Sequence, residues 1–141
     1  MTRQIEFVDT DMAGIMHFSN FFRLMEATEH AFLMSLGFSL HRAVDDVHVL
    51  WPRVQTGCEY FAPLIAEDRV DIQLRVRERA DKWIRYDFLF VKKDEDGEMD
   101  VAEGTLKAVC ARLDPASSRI EAIEIPGSIA SAIDQRMMEV G

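Results

Sequence analysis

The chain has 141 residues, 48% of them hydrophobic, and a net charge of −9, which is enough sequence for one buried core and too little for two ordinary domains, so a single domain over 1–141 is expected. The acidic balance argues against sequence-independent nucleic-acid binding, which needs surplus Lys and Arg to displace phosphate counterions. No stretch reaches the roughly 20 uncharged apolar residues of a membrane span.

The start Met1-Thr2-Arg3-Gln4 lacks the apolar core of a signal peptide, so a cytoplasmic location is expected. Ile5 and Phe7 alternate with polar neighbours and predict a short strand over 2–8. The segment Asp9-Thr10-Asp11-Met12-Ala13-Gly14 then breaks it, with a glycine available for positive φ. From Ser19 to Leu36 the period becomes helical, with Ser19 placed to cap the start and Gly37 to take a left-handed C-terminal cap. Arg23, Glu26, Glu29 and His30 fall in one narrow polar sector, and apolar side chains fill most of the remainder. Such a helix suits enclosure by a curved sheet. The spacing of Glu26 to Arg23 and His30 gives it ion-pair partners on the helix surface.

One helical turn is expected over 39–45, then strands over 47–61, 68–80, 82–93 and 98–113. Ala62-Pro63, Asp81 and Asp94-Glu95-Asp96-Gly97 separate them, predicting an antiparallel meander. Val70, Ile72, Leu74 and Val76 share one strand face, and Arg69, Arg75, Arg77 and Arg79 share the other; this arginine face is either a phosphate-binding strip or a solvated surface. A last strand over 119–125 and a helix over 127–139 complete an α+β arrangement. Cys58 and Cys110 are far apart and lack ligand-spaced neighbours, so reduced thiols are expected and no metal site. Trp51, Trp83 and the methionines Met12, Met16, Met25 and Met34 read as core or interface residues.

The chemistry concentrates in the strand-to-helix connection. Two carboxylates precede the unsatisfied N–H groups of a buried helix, and those amides suit a developing oxyanion. A carboxylate facing the same spot can attack a thioester carbonyl or activate water. By spacing alone the run reads better as a structural Asx turn, the commoner use of such residues before a helix.

The run Asp9-Thr10-Asp11-x-Ala13-Gly14-Ile15, followed by Phe18-Ser19-Asn20-Phe21-Phe22-Arg23, resembles the 4-hydroxybenzoyl-CoA thioesterase branch of the hot-dog superfamily. The likeness continues through Phe61-Ala62-Pro63-Leu64 and Ala102-Glu103-Gly104-Thr105. It implies a hot-dog fold, a long central helix wrapped by an antiparallel sheet, and hydrolysis of an acyl-CoA thioester without a metal or redox cofactor. It further implies Asp11 as nucleophile or general base and the Phe18 backbone amide as oxyanion donor. Family members often carry Tyr, or in one branch His, at the position of Phe18; here His17 precedes it, either a catalytic residue that orients substrate or donates to the carbonyl, or a surface or capping histidine. Asp9 is expected to be structural, and Asn20 a first-turn helix residue. Gly14, Arg79 and Lys82 are the substrate-binding candidates, the last two by likeness to the family's nucleotide-contacting turn. The resemblance implies a homodimer or homotetramer. A hot-dog hydratase or dehydratase is the alternative within the fold, disfavoured by the missing Asp-x-Asn-Pro-x-His block; a non-catalytic acyl-CoA-binding module is the alternative outside enzymes.

Overall fold

In the computed structural model, which describes residues 1–140, a five-stranded antiparallel sheet holds the chain together. Its order is β1 (Thr2–Gln4), β3 (Arg69–Arg79), β4 (Trp83–Asp94), β5 (Gly97–Val109) and β2 (Arg53–Tyr60). The long helix α1 (Ser19–Ser35) packs on one face, joined there by α2 (Gly127–Val140), while β6 (Ala111–Leu113) and β7 (Ile120–Ala122) form a separate hairpin. This is the expected α+β hot-dog arrangement. No helix among the described residues is long and apolar enough to cross a membrane.

The period-2 pattern of β3, β4 and β5 builds the core. Ile72, Phe90 and Ala102 lie in register across three strands, as do Ile84 and Ala108, and all are buried against the helices. Phe21, Met25 and Leu33 of α1 and Ile129 and Ile133 of α2 close that layer. Each fully buried side chain of this size contributes roughly 1.5–3 kcal/mol of transfer free energy. Gly104 of β5 lies under Met25, and a Cβ there would overlap the Met25 thioether. The missing side chain is therefore what lets α1 approach the sheet.

Several elements differ from the sequence expectations, each for a local reason. β1 ends at Gln4, because Glu6 N–H donates to Asp9 Oδ2 and the N–H groups of Asp9 and Thr10 turn back to Glu6 and Phe7; Phe7–Asp9 is a 3-10 turn, with Phe7 exposed. β2 starts at Arg53, just after Pro52, rather than at 47. Residues 39–42 make one turn, and Asp45 and Asp46 adopt left-handed φ of 50° and 64° in a tight Val44–Val47 reversal rather than a helical turn. β5 stops at Val109, where the Cys110 N–H leaves the ladder for Lys82 O. Only β3, β4 and β5 form a meander; β2 crosses the sheet end and pairs with β5. Helix α1 starts at Ser19 with Phe18, not Ser19, as its cap residue; Gly37, at φ 95°, ends it as expected.

Two side-chain expectations also change. A bulge between Val76 and Glu78 shifts the register of β3, so Arg79 pairs opposite buried Ile84 and leaves the face of Arg75 and Arg77. Glu29 is only 3% exposed, because Arg53 reaches from β2 to pair with it, whereas Glu26 stays exposed and forms no ion pair among the described residues. Cys110 is buried and Cys58 half-buried, both as free thiols.

Candidate active site

The turn before α1 is stitched together by backbone bonds. Thr10 bridges Met16, the Asp11 N–H donates to Ile15 O, and the Gly14 N–H donates to Asp11 O at 3.0 Å. Gly14 has φ 79° and open space where a Cβ would stand, so its role in the chain is to hold the left-handed position after the turn. This turn is tied to the helix through Asp9: its carbonyl accepts the His17 N–H at 2.9 Å and the Asn20 side-chain amide at 2.8 Å. With its carboxylate holding Glu6 N–H, Asp9 has the structural role expected of it, and Asn20 serves as a first-turn helix residue.

Asp11 stands at the tip of this turn, exposed. Its Oδ1 accepts the Ala13 N–H at 2.8 Å, an Asx turn that fixes the carboxylate's orientation and leaves Oδ2 without a partner among the described residues. At the helix start the N–H groups of His17, Ser19, Asn20 and Phe21 all donate within the chain. The Phe18 N–H does not, among the described residues. An unpartnered carboxylate oxygen and an unpartnered helix-start amide thus sit on one braced segment. Helix-start amides carry partial positive charge and stabilise an anion placed before them.

His17 folds over the helix start. Its Nδ1 lies 2.7 Å from Ser19 Oγ and accepts the Ser19 N–H at 3.3 Å, so the capping function falls to this ring. The ring stacks on Phe18 with centroids 4.7 Å apart. Tyr60, at the end of β2, donates its hydroxyl to Phe18 O at 3.3 Å and packs edge-on against Phe21. Sequence reasoning missed Tyr60. Nothing local marks it, because its partner lies 42 residues away.

Arg79 and Lys82 are not brought to this turn. They belong to the β3–β4 hairpin, while the Asp11 turn lies beside the opposite end of β3; ten residues of strand at about 3.3 Å each separate Arg69 from Arg79. Arg79 is engaged twice by Asp134 of α2, at 2.5 and 2.6 Å, while Lys82 is exposed. Arg75 and Arg77 both reach Asp87 on the outer sheet face. A concavity of about 1150 Å³ is lined by residues such as Gln73, Arg75, Asp87, Glu103 and Thr105, and by none of Asp11, His17 or Phe18. The turn residues Asp11 to Ile15 are all exposed in the single chain. Around it Phe7 is 85% and Val8 79% exposed, and Met12, Phe18, Phe61 and Ile65 are exposed as well.

Residues 5–133 match the model of the thioesterase-like superfamily. A putative esterase of Aquifex aeolicus is 30% identical over 92 residues, covering 65% of this chain and 71% of that protein. The solved structure of a gentisyl-coenzyme A thioesterase superposes with a TM-score of 0.80 at 30% identity, covering 94% of this chain and 98% of the other. The 4-hydroxybenzoyl CoA thioesterase of Pseudomonas sp. strain CBS-3 shares the fold, with a TM-score of 0.86 at 22% identity over 94% and 96% of the two chains.

Proposed function

The chain belongs to the thioesterase-like superfamily, and on that footing we propose that it hydrolyses an acyl-CoA thioester, with Asp11 as the reacting carboxylate and the Phe18 N–H as oxyanion donor. The observation that carries this reading is the pairing of Asp11 Oδ2 and the Phe18 N–H, both without partners among the described residues, on one braced turn. In the direct route the carboxylate takes a proton from water, the hydroxide adds to the carbonyl carbon, and the C–S bond breaks to release the thiolate. In the covalent route Asp11 itself adds, expels the thiolate as an acyl anhydride forms, and water then cleaves that anhydride. Both routes build negative charge on the carbonyl oxygen, the charge that a fixed N–H stabilises most.

The likeness to a gentisyl-coenzyme A thioesterase makes aroyl-CoA esters the first substrates to test. A second copy of this chain encloses the exposed turn. The exposed apolar side chains around Asp11 and the edge strand β2, paired on one side only, give a physical motive for a homodimer or a tetramer of dimers. Lys82 of a neighbouring copy, rather than that of the same chain, is then the candidate for the CoA phosphates.

The test is release of free thiol from a panel of aroyl- and alkanoyl-CoA esters by wild type and Asp11→Asn. Wild-type turnover of at least one ester that falls by about 10³ or more in the variant is expected. Equal rates remove Asp11 from the mechanism. A burst of CoA ahead of free acid marks the covalent route, and its absence the direct one.

A further inference from the structure

Two donors of Ser19, its backbone N–H and its hydroxyl, converge on the same ring nitrogen of His17, at 3.3 and 2.7 Å. An amide N–H is a donor only, so Nδ1 must offer it a lone pair. A proton on Nδ1 would instead face the amide hydrogen. The ring's remaining proton then belongs on Nε2, across the imidazole from Ser19, where it meets no acceptor among the described residues. The ring is further held by its stacking on Phe18 and by the His17 N–H bond to Asp9 O, so its position relative to the Asp11 turn is fixed.

We propose that Ser19 is a positioning residue that locks His17 in the Nε2–H tautomer, and that this Nε2–H is a second hydrogen-bond donor to the thioester carbonyl oxygen beside the Phe18 N–H. The inference rests on the reaction assigned above. No proton changes hands in this role; the Nε2–H donates a hydrogen bond that strengthens as charge gathers on the oxygen. It also accounts for a serine that begins the helix yet caps nothing: its hydroxyl is committed to the histidine.

Two substitutions separate the donor from the cap. His17→Asn keeps an oxygen within reach of the Ser19 N–H but removes the Nε2–H, whereas His17→Gln carries an amide N–H to the distance of Nε2 and gives up the cap. On the fastest ester of the panel, His17→Asn should lose about tenfold or more in kcat with KM and thermal midpoint little changed, and His17→Gln should recover most of that rate at a lower midpoint. In 15N spectra of the wild type at pH 8, Nδ1 should resonate as an unprotonated nitrogen and Nε2 as a protonated one, and Ser19→Ala, which keeps the backbone N–H but drops the hydroxyl, should retain that tautomer while loosening the ring and lowering kcat. Wild-type kcat in His17→Asn, or a proton found on Nδ1, overturns the proposal. Asp11→Asn in the same assay keeps the two readings apart. If it is inactive while His17→Asn is fully active, the reaction stands and His17 only caps the helix; if Asp11→Asn is fully active, the carboxylate assignment itself falls.

Discussion

Glu29 on the central helix and Arg53 on the edge strand meet at 2.5 Å, with the carboxylate 3% exposed, so the pair ties α1 to β2 from inside the core. Removing the cation leaves a buried charge without its partner. Arg53→Met is expected to cost about 3 kcal/mol in urea unfolding, well above the effect of an ordinary surface change.

The same pair makes a pH prediction. Burial pushes the Glu29 carboxyl above its ordinary value of 4.5, and Arg53 only partly offsets this. A group with a raised folded value contributes its full stability below the unfolded value, and loses that contribution as pH rises through the folded one. The stability difference between wild type and Glu29→Gln should therefore move against the wild type as pH rises from 4.5 towards neutrality. Thermal midpoints of the two proteins across that window check it; a difference moving the other way would mean that the ion pair outweighs burial.

Gly104→Ala tests the close approach of helix and sheet. The new methyl group would overlap Met25, which is fully enclosed and cannot swing into solvent. A loss of about 1–3 kcal/mol is expected. A smaller side chain at the facing position should restore part of it, so Met25→Val combined with Gly104→Ala should be less destabilised than the sum of the two single changes.

Tyr60→Phe removes the hydroxyl bonded to Phe18 O while keeping the ring packed on Phe21. The bond is partly exposed, so its removal should cost stability only about 0.5 kcal/mol. The effect on rate should be larger than on stability, because the Phe18 peptide carries the proposed oxyanion donor. A several-fold fall in kcat with KM and midpoint unchanged is the expected result, and an unchanged kcat would show that Phe18 is held without Tyr60. The phenol, pushed up to about 12 mainly by burial, stays protonated through any practical assay range, so this effect should be independent of pH.

Much of the fold was legible because burial follows the period of each element: Ile84, Tyr86, Phe88 and Phe90 announce one face of β4, and the Ser19–Leu36 run announces an enclosed helix. What escaped is long-range or depends on one inserted residue. The bulge at Arg77 reverses the direction of Arg79, and nothing in an alternating run of arginines signals where a ladder will slip. The period placed Glu29 in the polar sector of the helix, and the partner that buries it, Arg53, lies on β2, 24 residues away. At the candidate site the Asp9 and Asn20 roles were readable as local turn chemistry, whereas the Tyr60 bond and the convergence of Ser19 on His17 Nδ1 needed coordinates.

The exposed Phe7 and Val8 frame the last prediction. Their side chains face outward because the 3-10 turn at Phe7–Asp9 carries them off the sheet, shortly before the exposed Asp11. Large apolar side chains held in water on the rim of the proposed reacting turn are stabilised by a partner surface, and charging them opposes that association while leaving the chain's own core untouched. Phe7→Glu with Val8→Lys should therefore lower the mass measured by light scattering to that of one chain, keep the circular dichroism of the folded protein, and reduce acyl-CoA hydrolysis in proportion to the dimer lost. Raising the protein concentration should restore both mass and rate together, since both depend on the same association. A variant that stays dimeric and active would place the subunit contact elsewhere, and one that is monomeric yet fully active would mean that a single chain closes its own site.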